Sequence, residues 1–148
     1  MTNISPKDLQ KFYLAYFGRP GDPSGIKYWI SSSDESLTLR EISREFSRQD
    51  EYENYITNDK SIESQINRLY INLFDRKSDF DGLNYWIKLV NNKDYQFYEV
   101  VYDLIFSNHK PYSINPSQEK KDLRILENKV FAAENFTDQI SKSFTLIN

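Results

Sequence analysis

Apolar residues return at spacings of three and four along most of the chain, and polar turns carrying proline or glycine interrupt them. Leu9, Phe12, Tyr13, Tyr16 and Phe17 make one helical face, opened by a Ser5 cap with Pro6 and closed by Gly18. Asp22-Pro23 starts a second helix, with Ile26, Trp29 and Ile30 as its inward stripe. Thr38 and Glu41 form a capping box for a third, which carries Leu39, Ile42 and Phe46 and resumes after a break as Tyr52, Tyr55 and Ile56. The order then recurs. Ile62, Ile66, Leu69, Tyr70, Leu73 and Phe74 match the first helix, and Asp79 caps a helix carrying Leu83, Trp86, Ile87 and Val90. Asp94 precedes another, with Phe97, Val100, Val101, Leu104 and Ile105. Asn115-Pro116 opens a last helix through Leu123, Ile125, Leu126, Val130, Phe131 and Ala133, and a short helix or tail from Thr137 ends the chain. No period-two alternation competes with these stripes.

The recurrence is also one of residue identity. Leu9 to Ile30 and Ile66 to Ile87 align at an offset of 57 residues, with Tyr13/Tyr70, Phe17/Phe74, Arg19/Arg76, Asp22/Asp79, Gly25/Gly82, Tyr28/Tyr85, Trp29/Trp86 and Ile30/Ile87 identical. Both Trp and all four Gly lie in this pattern. Phe46, Ser47 and Tyr52 then align with Phe106, Ser107 and Tyr112 after three inserted residues. A fixed internal period sets the architecture. The pattern predicts an all-α, compact helical domain of seven or eight helices, made of two helix-loop-helix-helix repeats and a C-terminal helix. Repeat one covers 5–57, repeat two 61–112, and the C-terminal segment 115–148.

Composition narrows this picture. A chain of 148 residues can bury a core unaided, and its 11 Tyr and 10 Phe predict a core of large rings. With no Cys, disulfides and thiolate chemistry are excluded. A net charge of -3 with interspersed signs argues against nucleic acid as a partner. The N-terminal MTNISPKDLQKFY has no basic stretch followed by an apolar run, and no run approaches the length of a membrane span, so membrane insertion is not expected. If the protein is exported, its signal lies elsewhere or has been removed.

The loops GRPGDPSG and DRKSDFDG carry the candidate chemistry. On a structural reading, Asp22 and Asp79 cap helices, and Arg19 and Arg76 answer the C-terminus of the helix before them. Gly25 and Gly82 then admit another backbone at close range, and each Tyr-Trp pair puts Trp inside and Tyr at the edge. On a ligand reading, Asp75, Asp79 and Asp81 supply oxygens to a hard cation such as calcium, while the first loop offers only Asp22 and Ser24. Arg19, Asp22 and Tyr28, with Arg76, Asp79 and Tyr85, would form a sugar-contacting surface of rings beside charged groups. Elsewhere the signals are bland. His109 is the only histidine and sits in a polar turn, and no nucleotide, hydrolase or metalloprotease motif occurs. Asp34/Glu35, Asp50/Glu51, Lys120-Lys121 with Asp122, and Arg40 with Arg44 read as exposed helix charges. Enzyme activity is not expected.

The doubled x-R-x-x-D-x-x-G-[IL]-x-Y-W-I pattern resembles the bacterial family called domain of unknown function 4214. The family's following FxxSxE-Y segment is matched by EFSRQDEY and IFSNHKPY, and its closing NKVxVAxxFT by ENKVFAAENFT. This chain departs from the family pattern at Asp75, Lys77 and Pro111. The resemblance implies a module of a large secreted surface-layer or RTX-type adhesin protein, exported by type I secretion and placed at the cell surface. It also implies anchoring through surface glycan such as lipopolysaccharide O-antigen, with calcium as an assisting ion, or contact with neighbouring surface-protein subunits. The alternative is a cytoplasmic protein-protein scaffold, because REFSRQDEYENY is loosely similar to phycobilisome linker domains.

Overall fold

The computed structural model describes residues 4–32, 37–56, 59–92, 94–107 and 116–147. Among them lie eight helices and no strand: α1 (Pro6–Phe17), α2 (Pro23–Ser32), α3 (Leu39–Ser47), α4 (Asp50–Tyr55), α5 (Ile62–Phe74), α6 (Phe80–Asn92), α7 (Phe97–Phe106) and α8 (Pro116–Ile147). The fold is all-α, as the periodicity predicts. His109, Pro111, Tyr112, Asn115 and the Asp34/Glu35 pair lie outside the described residues.

Local chemistry starts and stops the helices. Ser5 Oγ accepts from Asp8 N at 3.1 Å, and Asp8 Oδ2 accepts from Ser5 N at 3.4 Å, which closes a capping box. Thr38 Oγ1 accepts from Glu41 N at 3.1 Å, and the Glu41 carboxylate accepts from the Thr38 hydroxyl at 3.3 Å in place of the backbone N–H of a full box. Helix α7 begins just after Asp94, as expected. Its N-cap is Gln96, boxed with Glu99, while Asp94 stands two residues earlier in the left-handed region at φ 51. The equivalent helices α1 and α5 end alike, on Gly18 (φ 64) and Asp75 (φ 60). Aspartate tolerates this conformation better than most side chains do, so the backbone turn survives where Asp75 stands in place of the first unit's Gly18.

The two units pack as a pair. Helix α1 lies against α5, α3 lies against α7, and α8 runs along α1, α2 and α5. Phe46 of α3 is fully buried at the aromatic centre. Its ring lies 5.5 Å from Phe12, 5.1 Å from Tyr13, 5.9 Å from Tyr16 and 5.8 Å from Phe17. Trp29 stacks on it at 4.6 Å and 23°. The buried Tyr16 hydroxyl donates to Ser43 O at 2.9 Å, and Ser43 Oγ donates to Tyr98 O at 2.8 Å, so α1, α3 and α7 share one polar thread.

Helix α8 corrects two expectations. It runs unbroken through Thr137, so no separate terminal helix begins there. Its inward face is Asp122, Leu126, Val130 and Ala133, whereas Leu123 and Phe131 point outward at 53% and 67% exposure. Asp122, which reads as a surface charge, is buried. No helix among the described residues is long and apolar enough to cross a membrane.

Truncating Phe46 removes the ring that all these aromatics share. Phe46→Ala is expected to destabilise the fold by about 3–5 kcal/mol in chemical denaturation, with a red shift of the Trp29 fluorescence as its stacking partner is lost. Phe46→Leu should cost much less.

Candidate ligand loops

The loops joining α1 to α2 and α5 to α6 are built on one plan. Asp22 Oδ2 accepts from Gly25 N at 3.2 Å, and Asp79 Oδ1 accepts from Gly82 N at 2.7 Å, so both aspartates are helix N-caps. Behind each cap stands a tyrosine from the preceding helix. A Cβ on Gly25 would overlap the Tyr13 hydroxyl, and one on Gly82 would lie 2.9 Å from Asp79 Oδ1 and 3.4 Å from the Tyr70 hydroxyl. The glycines therefore make room for a phenol and a cap, not for another backbone. Trp86 Nε1 donates to the Tyr70 hydroxyl at 2.9 Å, and Trp29 and Tyr13 both lie against the Phe46 ring in the first unit. Burial is the main cause that pushes the Tyr13 and Tyr70 phenols above their ordinary range.

Each arginine makes the same three bonds. Arg19 donates through Nε and Nη2 to Glu51 at 2.8 and 2.6 Å, and through Nη1 to Pro20 O at 2.7 Å. Arg76 donates to Asp122 at 2.9 and 2.6 Å, and to Lys77 O at 3.1 Å. These are bidentate forks, and each guanidinium also lies 5.3 Å over its own tyrosine ring, Tyr13 or Tyr70. Their carboxylate partners come from different elements, α4 in the first unit and α8 in the second. The first pair is half open, with side chains 40% and 45% exposed, while the second is 24% and 2% exposed.

Sequence comparison by identity passes over a further equivalence. Gln10 and Asn67 stand at matching positions and differ in type. Gln10 Oε1 accepts from Gly21 N at 2.8 Å, and Asn67 Oδ1 accepts from Ser78 N at 3.1 Å. A side-chain amide thus clamps each loop. The signal was an amide one turn before the tyrosine in both copies.

The three acids proposed for a metal do not converge. Asp75 forms an ion pair with Lys129 of α8, Asp79 caps α6, and Asp81 sits exposed in the first turn of that helix. Among the described residues, no three His, Cys, Asp or Glu side chains gather to hold an ion. Arg19 and Asp22 do come together, 3.8 Å apart. Tyr28 and Tyr85 lie on the outer side of α2 and α6 at 60% and 38% exposure, while Trp86 is fully buried and Trp29 half-buried.

Two openings adjoin this machinery. A recess of 170 Å³ beside the first loop is lined by Tyr13, Phe17, Trp29, Arg19 and Glu51. A larger polar cleft of 570 Å³ opens where α4 meets α5, with Tyr55, Asn67, Arg68, Asn72 and Lys77 in its wall. Sequence reading points to neither Arg68 nor Asn72.

The fold and loops define a doubled helix-loop-helix module. Residues 43–108 match the model of the family described as Domain of unknown function (DUF4214), the family that the doubled motif resembles. The matched segment begins within α3 and ends just past α7, so it takes the close of the first unit and the body of the second. No curated protein and no solved structure matches the chain.

The unequal burial of the two forks predicts unequal costs. Asp122→Ala should destabilise the protein by about 3–5 kcal/mol, because it strands a partly buried guanidinium. Glu51→Ala should cost about 1 kcal/mol or less. Thermal or denaturant unfolding of the two variants checks the contrast.

Asp22 gives a pH prediction. The Ser24 hydroxyl first, then backbone N–H groups and Arg19, hold its carboxyl below the ordinary value of 3.8. A carboxyl acidified by folding stabilises the folded state fully above its unfolded value of about 4, and that contribution is lost as pH falls through the lower folded value. Asparagine caps about as well but does not titrate there. Asp22→Asn should therefore leave stability near pH 7 little changed and flatten the acid limb of the stability profile.

Proposed function

We propose that this chain is a non-enzymatic binding module of a secreted bacterial surface-layer or adhesin-type protein, which anchors it to surface glycan such as lipopolysaccharide O-antigen. The observation that carries the reading is the outward placement of Tyr28 and Tyr85, at equivalent positions of the two units, beside loops rich in charged groups. Exposed rings of this kind stack on the apolar faces of sugars and present hydroxyls at their rim. The family match agrees with the resemblance of the doubled motif, and that resemblance supplies the bacterial source and the surface location. The engaged state of Asp75 and Asp79 argues that calcium, where it assists, bridges glycan and protein from solution without a preformed cage.

The test is binding of the purified chain to smooth lipopolysaccharide from the bacterium that encodes it, with calcium and with chelator. Rough lipopolysaccharide lacking O-antigen serves as the comparison. Binding to the smooth form, lost on the rough form and weakened by Tyr28→Ala with Tyr85→Ala, is expected. No binding to either form, with or without calcium, overturns the proposal.

A further inference from the structure

The internal repeat supplies its own precedent for a ligand. In the first unit, Gln10 does more than hold Gly21 N. Its Nε2 donates to the Thr137 hydroxyl at 2.8 Å, and that hydroxyl donates in turn to Gly21 O. A single alcohol from α8 is thus captured between the amide and the loop it clamps, and Gln10 is 2% exposed beneath it.

The second unit repeats the clamp without the alcohol. Asn67 Oδ1 holds Ser78 N, but no described residue accepts from Asn67 Nδ2. The ground around it is the 570 Å³ cleft. Helix α4, which supplies the fork partner in the first unit as α8 does in the second, ends at Tyr55, and that residue stands in the wall of the cleft. The residues beside the clamp differ accordingly. Leu14 is buried at 7% exposure, whereas its equivalent Ile71 is 43% exposed. Ala15 is replaced by Asn72, which accepts from the Tyr55 hydroxyl at 3.2 Å and donates to Ala15 O at 3.1 Å. Arg68 lies over the Tyr55 ring at 4.9 Å, and neither it nor Lys77 makes an ion pair with a described residue.

We infer that this cleft is a saccharide subsite, in which a hexose hydroxyl takes the place beside Asn67 that the Thr137 hydroxyl takes beside Gln10. Arg68 and Lys77 donate to further hydroxyls, and the Tyr55 ring forms one wall. The polar lining favours a sugar over an apolar helix from a second copy, because Ile71 is the one aliphatic side chain among the described residues of that wall. The inference rests on the glycan reading and assigns it a site.

The experiment uses the full chain and delipidated O-polysaccharide, so that lipid and core phosphate cannot contribute. Asn67→Asp keeps the oxygen that holds Ser78 N and removes the donor, and Arg68→Gln removes the cation. Each should lower affinity about tenfold in calorimetry or competition binding, the loss expected for one hydrogen bond to a ligand hydroxyl. Circular dichroism and unfolding midpoints should stay near those of the parent. Unchanged affinity in these variants, with binding lost only in Tyr28→Ala and Tyr85→Ala, overturns the cleft and leaves the glycan reading standing. A parent chain that binds no polysaccharide overturns both. Self-association of the parent that the cleft variants abolish, seen by sedimentation, assigns the cleft to a second copy and overturns the saccharide inference.

Discussion

The fork between Arg76 and Asp122 decides where α8 lies. A carboxylate 2% exposed is expensive to leave unpaired, and two short N–H···O bonds from one guanidinium leave it little freedom of angle or position. Gln118 adds a third bond from the previous turn of α8. From that fixed point the helix proceeds at 1.5 Å per residue. Lys129 arrives at the C-terminus of α5, where it donates to Ile71 O and Asn72 O at 3.3 and 2.9 Å and pairs with Asp75. A cation at that end also suits the helix dipole. Roughly 22 Å along the axis from Asp122, Thr137 arrives at the other loop. One rod ties both loops together.

That rod breaks the symmetry of the repeated sequence. Both units ask for a carboxylate to hold the loop arginine, and they obtain it differently. Glu51 comes from a helix of six residues that ends within the fold, while Asp122 comes from a helix of 32 residues that continues across the molecule. The first loop is clasped by Thr137 of α8 as a result, and the second keeps an open flank on the side of its clamp. Loops built on one plan acquire different surroundings from the length of one helix.

What could be read from the chain alone follows the range of each interaction. Helix caps, inward stripes, the break before α4 and the equivalence of the loops are local or periodic, and a single sequence carries them. Asp122 could not be read correctly. Next to Lys120 and Lys121 it has the look of a solvated charge, and its partner lies 46 residues away. Nor could the clamp amides, since Gln10 and Asn67 share a chemistry and not an identity. Tyr13 and Tyr70 were legible as core rings, but their hydroxyls were not legible as the reason for Gly25 and Gly82. Asp75 shows the opposite hazard: an acid in an acid-rich loop suggests a cation, and the cation it meets is a lysine.

The pattern of identity and divergence between the units then carries functional content. The identical residues Tyr13/Tyr70, Asp22/Asp79, Gly25/Gly82 and Trp29/Trp86 bond or pack within their own unit's loop, cap or core, and Arg19/Arg76 spend their forks on Glu51 of α4 and Asp122 of α8. Such residues recur because the same turn must be built twice, and their hydrogen-bonding capacity is largely used in building it. The positions that change are elsewhere. Lys11 becomes Arg68, Leu14 becomes Ile71, Ala15 becomes Asn72 and Pro20 becomes Lys77, and all four changed residues line the one cleft. Ala15 and Pro20 give way to a polar and a charged side chain, while Arg68 keeps the charge of Lys11 and Ile71 the apolar character of Leu14. A second unit freed from burying that face has filled it with donors, as water alone would permit but a hydroxyl-rich ligand would use. In a repeat protein of this kind, the buried part of the repeated motif identifies the scaffold, and the contact surface is sought at its outward rings and where the copies disagree.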